Sequence, residues 1–267
     1  MSTPLPALAG TVCALALALG SAAHAAQVKV TVRAENLAPA NSISFAPLHV
    51  GFHNGSFDAF DNGQVATAPI ISVAEGGSGT AWQAAFAAAE PNATRGTIGG
   101  LLQPGGMVLS TFMVDTMQNQ FFTFASMAVP SNDFFIGNDT PIHLLDLAGN
   151  LLLGSINQIA AQLWDAGSEA FDPANAAFVG NNDLRTPQNG VVSFDFAELA
   201  GFNGLTTGAN YVFDSQLGRD TNIYRISFDA QVIPEPGTFA LLGLGLMAAL
   251  WSPRRRGHPT PAQPALV

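Results

Sequence analysis

Apolar and polar residues alternate along Val28-Lys29-Val30-Thr31-Val32-Arg33-Ala34, which predicts a strand with one face buried. Asn36 to Asn41 is a turn-rich break, and Phe45 to Phe52 is a second apolar, strand-like run. Gly51 to Gly63 reads as a loop, with Asn54-Gly55 and Asn62-Gly63 as turn dipeptides. Ile70 to Ala89 is Ala-rich and helical in character. Met107 to Val114 and Gln120 to Val129 predict two strands, and the polar Asp115 to Asn119 between them fits a hairpin. Asn150 to Leu163 suits strand or helix. Val191 to Phe196 and Asn222 to Val232 predict late strands, the last with Ile223, Arg225, Ser227 and Asp229 on one face. Many short strands with Gly- and Asn-rich connections predict one all-β domain, a sandwich or barrel, carrying one or two short helices.

Both ends of the chain depart from this pattern. Residues 1–26 hold an apolar core, Leu15 to Leu19, and end in Ala23-His24-Ala25, an A-x-A-like cleavage site for a signal peptide. Cys13, the chain's single cysteine, lies in that segment, so the exported part is cysteine-free and relies on its core or on metal for stability. At the other end, Pro234-Glu235-Pro236 is followed by an apolar run from Phe239 to Trp251 and by Arg254-Arg255-Arg256. The run is shorter than the ~20 residues that span a bilayer comfortably. Its span lengthens if counted back to Ile233, giving transient membrane anchoring through residues 233–251. Between the two ends, residues 27–231 are long enough for one domain with a sizeable core.

The three-part C-terminal pattern resembles the PEP-CTERM sorting signal of Gram-negative bacteria, assigned here to residues 232–267. That resemblance implies export through the inner membrane and processing by an exosortase-type protease, with release or surface attachment.

Charge narrows the function classes. The chain carries 9 basic and 19 acidic residues, a formal net charge of −10. Three of the basic ones, Arg254 to Arg256, fall in the sorting segment. The domain itself is left with Lys29, Arg33, Arg95, Arg185, Arg219 and Arg225. Nucleic acid is a poor partner for such a surface, and a hard cation is a better one. No nucleophile elbow, His-Glu-x-x-His, P-loop or dinucleotide fingerprint occurs, so the residues point away from an enzyme.

Two segments place carboxylates where a cation could sit. Met127 to Gly137 puts Asp133 after a strand, and Asp165-Ala166-Gly167-Ser168-Glu169 sets two carboxylates four residues apart around a glycine turn. Calcium takes six to eight oxygens from such flexible acidic loops. The bland reading is solvated loop charge. His49 and His53 also sit four apart, but a structural role is the expectation for both. Asp58 and Asp61 are first turn formers, with a second cation as the alternative. Glu75 reads as a loop carboxylate, and the Phe121-Phe122-Phe124 and Phe134-Phe135 clusters as core.

Met127 to Gly137 and Asp165 to Glu169 resemble motifs of the spondin N-terminal domain, as do Pro47 to Gly63 and Ile71 to Gly77. The likeness runs over residues 28–230. It implies a C2-like antiparallel β-sandwich with Ca2+ held at one end by Asp133, Asp165 and Glu169. Phe134 stands where the family usually has Trp, which keeps an aromatic anchor. Asn132 replaces a common Pro and is expected to loosen the loop. The implied function is calcium-dependent binding to an extracellular-matrix, biofilm or cell-surface ligand. The alternatives are a secreted metal-dependent hydrolase, with Glu75 or His53 beside the ion, and a purely structural envelope component.

Overall fold

The computed structural model describes residues 27–180 and 184–233, together with Gly243. The chain divides into one compact unit ending at Ile233 and a second from Pro234 to Val267. The signal peptide and nearly all of the apolar sorting run lie outside the described residues. Among the described residues no helix is long and apolar enough to cross a membrane.

Two antiparallel sheets form the sandwich. The smaller has the order β5-β1-β12-β9, from Met107–Asp115, Gln27–Asn36, Asn222–Val232 and Ser155–Ile159. The larger runs β11-β10-β7-β6-β3-β4, from Ser193–Phe194, Trp164–Asp165, Phe134–Gly137, Phe121–Val129, Leu48–His53 and Thr94–Ile98. The short β2 (Ser44–Phe45) and β8 (Ile142–His143) also pair with β6. Between the sheets, Val28, Val30 and Val32 of β1 meet Phe45, Phe52, Phe122 and Phe124. Full burial of one such aromatic contributes roughly 1.5–3 kcal/mol, which is how a cysteine-free domain can hold together.

Helices α1 (Ala68–Gly76) and α2 (Thr80–Ala89) cover the outer face of the large sheet. Pro69 near the start of α1 needs no N–H there, and Gly77 ends the helix in the left-handed region, φ 62°, with its N–H on the Val73 carbonyl. Ile70, Val73, Trp82 and Phe86 pack with Phe57, Phe135 and Trp164 into a second core. β3 and β6 are consequently buried on both faces. Their near-continuous apolar sequence follows from that position. Gly51 lets α2 come close, because a Cβ there would fall 2.0 Å from Cε1 of Phe86.

Several expectations change. Met107–Asp115 and Phe121–Val129 are strands, but they belong to different sheets, so Asp115 to Asn119 is a crossover and not a hairpin. Asp115 caps that turn by accepting the N–H of Met117 and of Asn119, which gives it the local look of a hairpin loop. A bulge at Asn222/Tyr224 breaks the alternation of β12. Ile223 and Tyr224 are both buried there, so Ile223 does not share a face with Arg225. The loop reading at Gly51 to Gly63 holds only beyond His53, and the helical stretch splits in two at Gly77.

The two ends of the sandwich are distinct. At one, Val28 pairs with Val232, Gln27 with Asp115, and Phe121 starts β6. At the other, Asn36 pairs with Tyr224 and Ser44 with Val129, and the Phe45 and Tyr224 rings lie 4.6 Å apart.

Candidate metal centre

The loops after β6 and β10 meet at that second end. Asp165 of β10 pairs with Phe134 of β7 on one side and with Ser193 of β11 on the other. The sheet ladder therefore sets Asp133 beside the Asp165–Glu169 turn. Gly167 adopts φ +64°, and a side chain there would press on the Val191 backbone at 2.7 Å, so only glycine fits.

Asp133 is almost fully buried. Its Oδ2 accepts the backbone N–H of Ser168 at 2.7 Å, the N–H of Glu169 at 3.0 Å and the Ser168 hydroxyl at 3.2 Å. Asp165 accepts the N–H of Gly167 through Oδ1 at 2.5 Å. Glu169 accepts Nδ2 of Asn132 at 3.1 Å through Oε1, and its Oε2 lies 3.9 Å from Nε of Arg185. Arg185 also pairs with Glu75 at 2.9 Å.

Electrostatics marks the three carboxylates as costly. Burial, then the charge of Asp133, pushes Asp165 up to about 7. Burial likewise raises Asp133 above the usual carboxylate range despite its three donors, with Glu75 adding to the effect. Glu169 is raised by burial and by the charges of Glu75 and Asp133, against the pull of Asn132 and Arg185. Glu198 is raised by burial and by Asp195 and Asp133. Each of these groups is more easily ionised when a cation is at hand.

The sequence did not point to Glu198, Asp195 or Arg185. Glu198 lies in the 3-10 turn Phe196–Phe202, which follows β11 directly and so is delivered to Asp165 by the ladder. No local spacing signals that. Asn132 does not loosen its loop. It is buried and bridges Glu169 to Asp172, donating to the Asp172 carbonyl and accepting its N–H at 3.0 Å. Phe134 is the expected buried aromatic anchor.

The donor chemistry fits a hard divalent cation: buried carboxylates repel one another, and Asp133 and Asp165 each keep one oxygen without a hydrogen bond among the described residues. The side chains do not converge as they stand. Among the described residues no group of three or more His, Cys, Asp or Glu is placed to hold a metal ion. The charge of Asp133 raises both Asp165 and Glu169.

The remaining candidates lie elsewhere. His49 and His53 do share one face of β3, because an even spacing keeps residues on the same side of a strand. His49 bonds to Thr97 at 2.9 Å and the Gly77 carbonyl at 3.2 Å; His53 bonds to Glu90 at 3.0 Å and Thr123 at 2.9 Å. His53 pairs with Phe121, at the end of the large sheet opposite to Val129 and Asp133, so it is not beside the acidic loops. Glu75 sits on α1, not in a loop; it shares Arg185 with Glu169, and its charge adds to the cost of ionising Asp133 and Glu169. Asp58 is raised by burial, Asp61 and Asp139, which makes a second, looser acidic patch.

Comparison with curated proteins returned no match. Residues 232–256 match the PEP-CTERM protein-sorting motif. That motif places the protein outside the inner membrane, at the surface or envelope of a Gram-negative bacterium, with an exosortase as its C-terminal processing partner. Residues 36–193, over half of the 267, match Spondin_N, and they contain Asp133, Asp165 and Glu169; the chain belongs to the Spondin_N family and is sorted by a PEP-CTERM signal.

Proposed function

We propose that this protein is a non-catalytic, calcium-dependent adhesion domain, working in the extracellular matrix or biofilm from the cell surface. The observation that carries this reading is the set of raised carboxylates at one end of the sandwich, led by Asp165 at about 7. Asp133, Asp165 and Glu169 would hold the ion, with Glu198 and Asp195 adding to the negative field. A bound calcium would neutralise their repulsion and stiffen the loops around Gly167 and Asn189. The Asp165 and Glu169 side chains would have to turn toward Asp133 to close the site.

Beside the acidic turn, a cleft of about 270 Å3 is lined by Ile71, Glu75, Ser168 and the 187–190 loop. Ordering of that loop is how the ion would control a binding surface. The same segment leads through the Asp172 and Arg185 contacts to both acidic loops. Before processing, the apolar segment at residues 233–251 would hold the domain at the membrane.

The test is retention of the exported protein on the producing cells' own matrix, with calcium or with a chelator. Retention lost on chelation and restored by calcium supports the reading. Retention indifferent to calcium rejects it.

A further inference from the structure

The chain enters and leaves the sandwich at one point. The N–H of Ile233 donates to the carbonyl of Gln27 at 2.8 Å, and Val232 pairs with Val28. Around this exit lies a run of exposed apolar side chains: Met113 at 49%, Met117 at 50%, Leu147 at 59%, Val232 at 50% and Ile233 at 36%. They gather at one end of the sandwich. Asp115 pairs with Gln27, Thr116 donates to the Leu147 carbonyl at 2.9 Å, and Gly149 packs against both Val28 and Val232. Met113 lies beside Lys29 on the outer face of the small sheet, the face opposite to Val28 and Val232.

We propose that this apex is a membrane seat, resting on the headgroup region of the bilayer that holds the apolar sorting segment. The inference rests on the reading that residues 233–251 anchor the chain before processing. Chain length keeps the exit near the bilayer. Only Pro234 to Thr238 separate Ile233 from Phe239. Six residue steps reach at most about 20 Å when fully extended. The interfacial layer takes up roughly 5–8 Å of that on each side of the hydrocarbon. The exit is thus held near the headgroups, and Met113, Met117, Leu147, Val232 and Ile233 are among the side chains exposed there.

Charge agrees with shallow contact. Lys29 can reach lipid phosphate beside Met113. Asp115 and Asp146 also lie at this apex and oppose deep entry, although each is engaged in capping its own turn. The carboxylates of Asp133, Asp165 and Glu169 lie at the opposite end, where a negative leaflet does not repel them. Seating in this sense points the candidate metal centre away from the cell.

The exported chain has no cysteine of its own, since Cys13 precedes Gln27. Leu147→Cys, Met117→Cys and Gln188→Cys, made in the chain from Gln27 through the sorting segment, can each carry one bimane label. The labelled proteins are bound to phosphatidylethanolamine–phosphatidylglycerol vesicles that contain a headgroup-depth quencher. The labels at Leu147 and Met117 should be quenched roughly threefold or more over that at Gln188, which hydrogen-bonds the acidic turn at the far end. Equal quenching with all three proteins floating on the vesicles overturns the seat alone. Failure to float overturns the anchoring reading and the seat with it.

Discussion

The Asp133 carboxylate accepts the backbone N–H of Glu169 at 3.0 Å, so one candidate ligand is also the structural pin of the loop that carries another. Removing Asp133 would therefore release two backbone donors and a hydroxyl whether or not a metal binds there. A variant at this position confuses loop collapse with ligand loss. Asp165 separates the two effects, since it caps only its own turn.

Asp165→Asn should stabilise the metal-free protein at pH 8 by roughly 1–2 kcal/mol, because it removes a half-buried charge while an amide oxygen can still accept from Gly167. Chemical denaturation of both proteins with the metal stripped away measures this directly. A variant less stable than the parent would mean that Asp165 is not a strained ionised group.

The same residue sets a pH dependence. Its pKa rises from 3.8 in a free chain to about 7 when folded, so the folded state binds the proton more tightly. Between those values the unfolded chain holds fewer protons, and stability falls as pH rises. Metal-free protein should lose stability from about pH 4 to about pH 7 on this group's account. Asp165→Asn should flatten that slope. Calcium should flatten it too, by favouring the ionised form. Denaturant midpoints across the range provide the readout.

Glu90 is a structural anchor of a different kind. It accepts the N–H groups of Asn54, Ser56 and Phe57, the Ser56 hydroxyl and His53. Burial would raise its pKa, but these donors outweigh it and the pKa is lowered. Its contribution is thus present at neutral pH and lost as pH falls through the folded-state value. Glu90→Ala should cost roughly 2–4 kcal/mol by leaving the buried donors of His53 and Phe57, and three part-buried ones, unpaired, measurable by thermal or denaturant unfolding.

Much of the fold was legible because it rests on local patterns. β1 and β12 carry alternation over long stretches, and the Ala-rich run before Glu90 could only be helical. The failures are non-local. Met107–Asp115 and Phe121–Val129 look like a hairpin because the polar link has the right length, yet each strand finds its partners in a different sheet. β6 and β3, buried on both faces, carry no alternation to fix a register. At the candidate site, Asp133, Asp165 and Glu169 could be named through motif resemblance. Glu198 and Arg185 could not, because the β10–β11 ladder and the Glu75 pair deliver them from distant positions.

Gly51→Ala tests the helix layer. The new methyl would collide with the buried Phe86 ring, and neither the strand nor α2 can retreat without opening the second core. A loss of roughly 2–3 kcal/mol is expected, with partial rescue by Phe86→Leu. Unfolding of the single and double variants checks it.

In the proposed function, the acidic end binds calcium through Asp165 and its neighbours. The most direct measurement is a thermal melt of the metal-stripped exported protein with and without roughly 1 mM calcium, beside Asp165→Asn. A rise of several degrees is expected in the parent and should be absent or strongly reduced in the variant. No rise in the parent, or an equal rise in both, would contradict it.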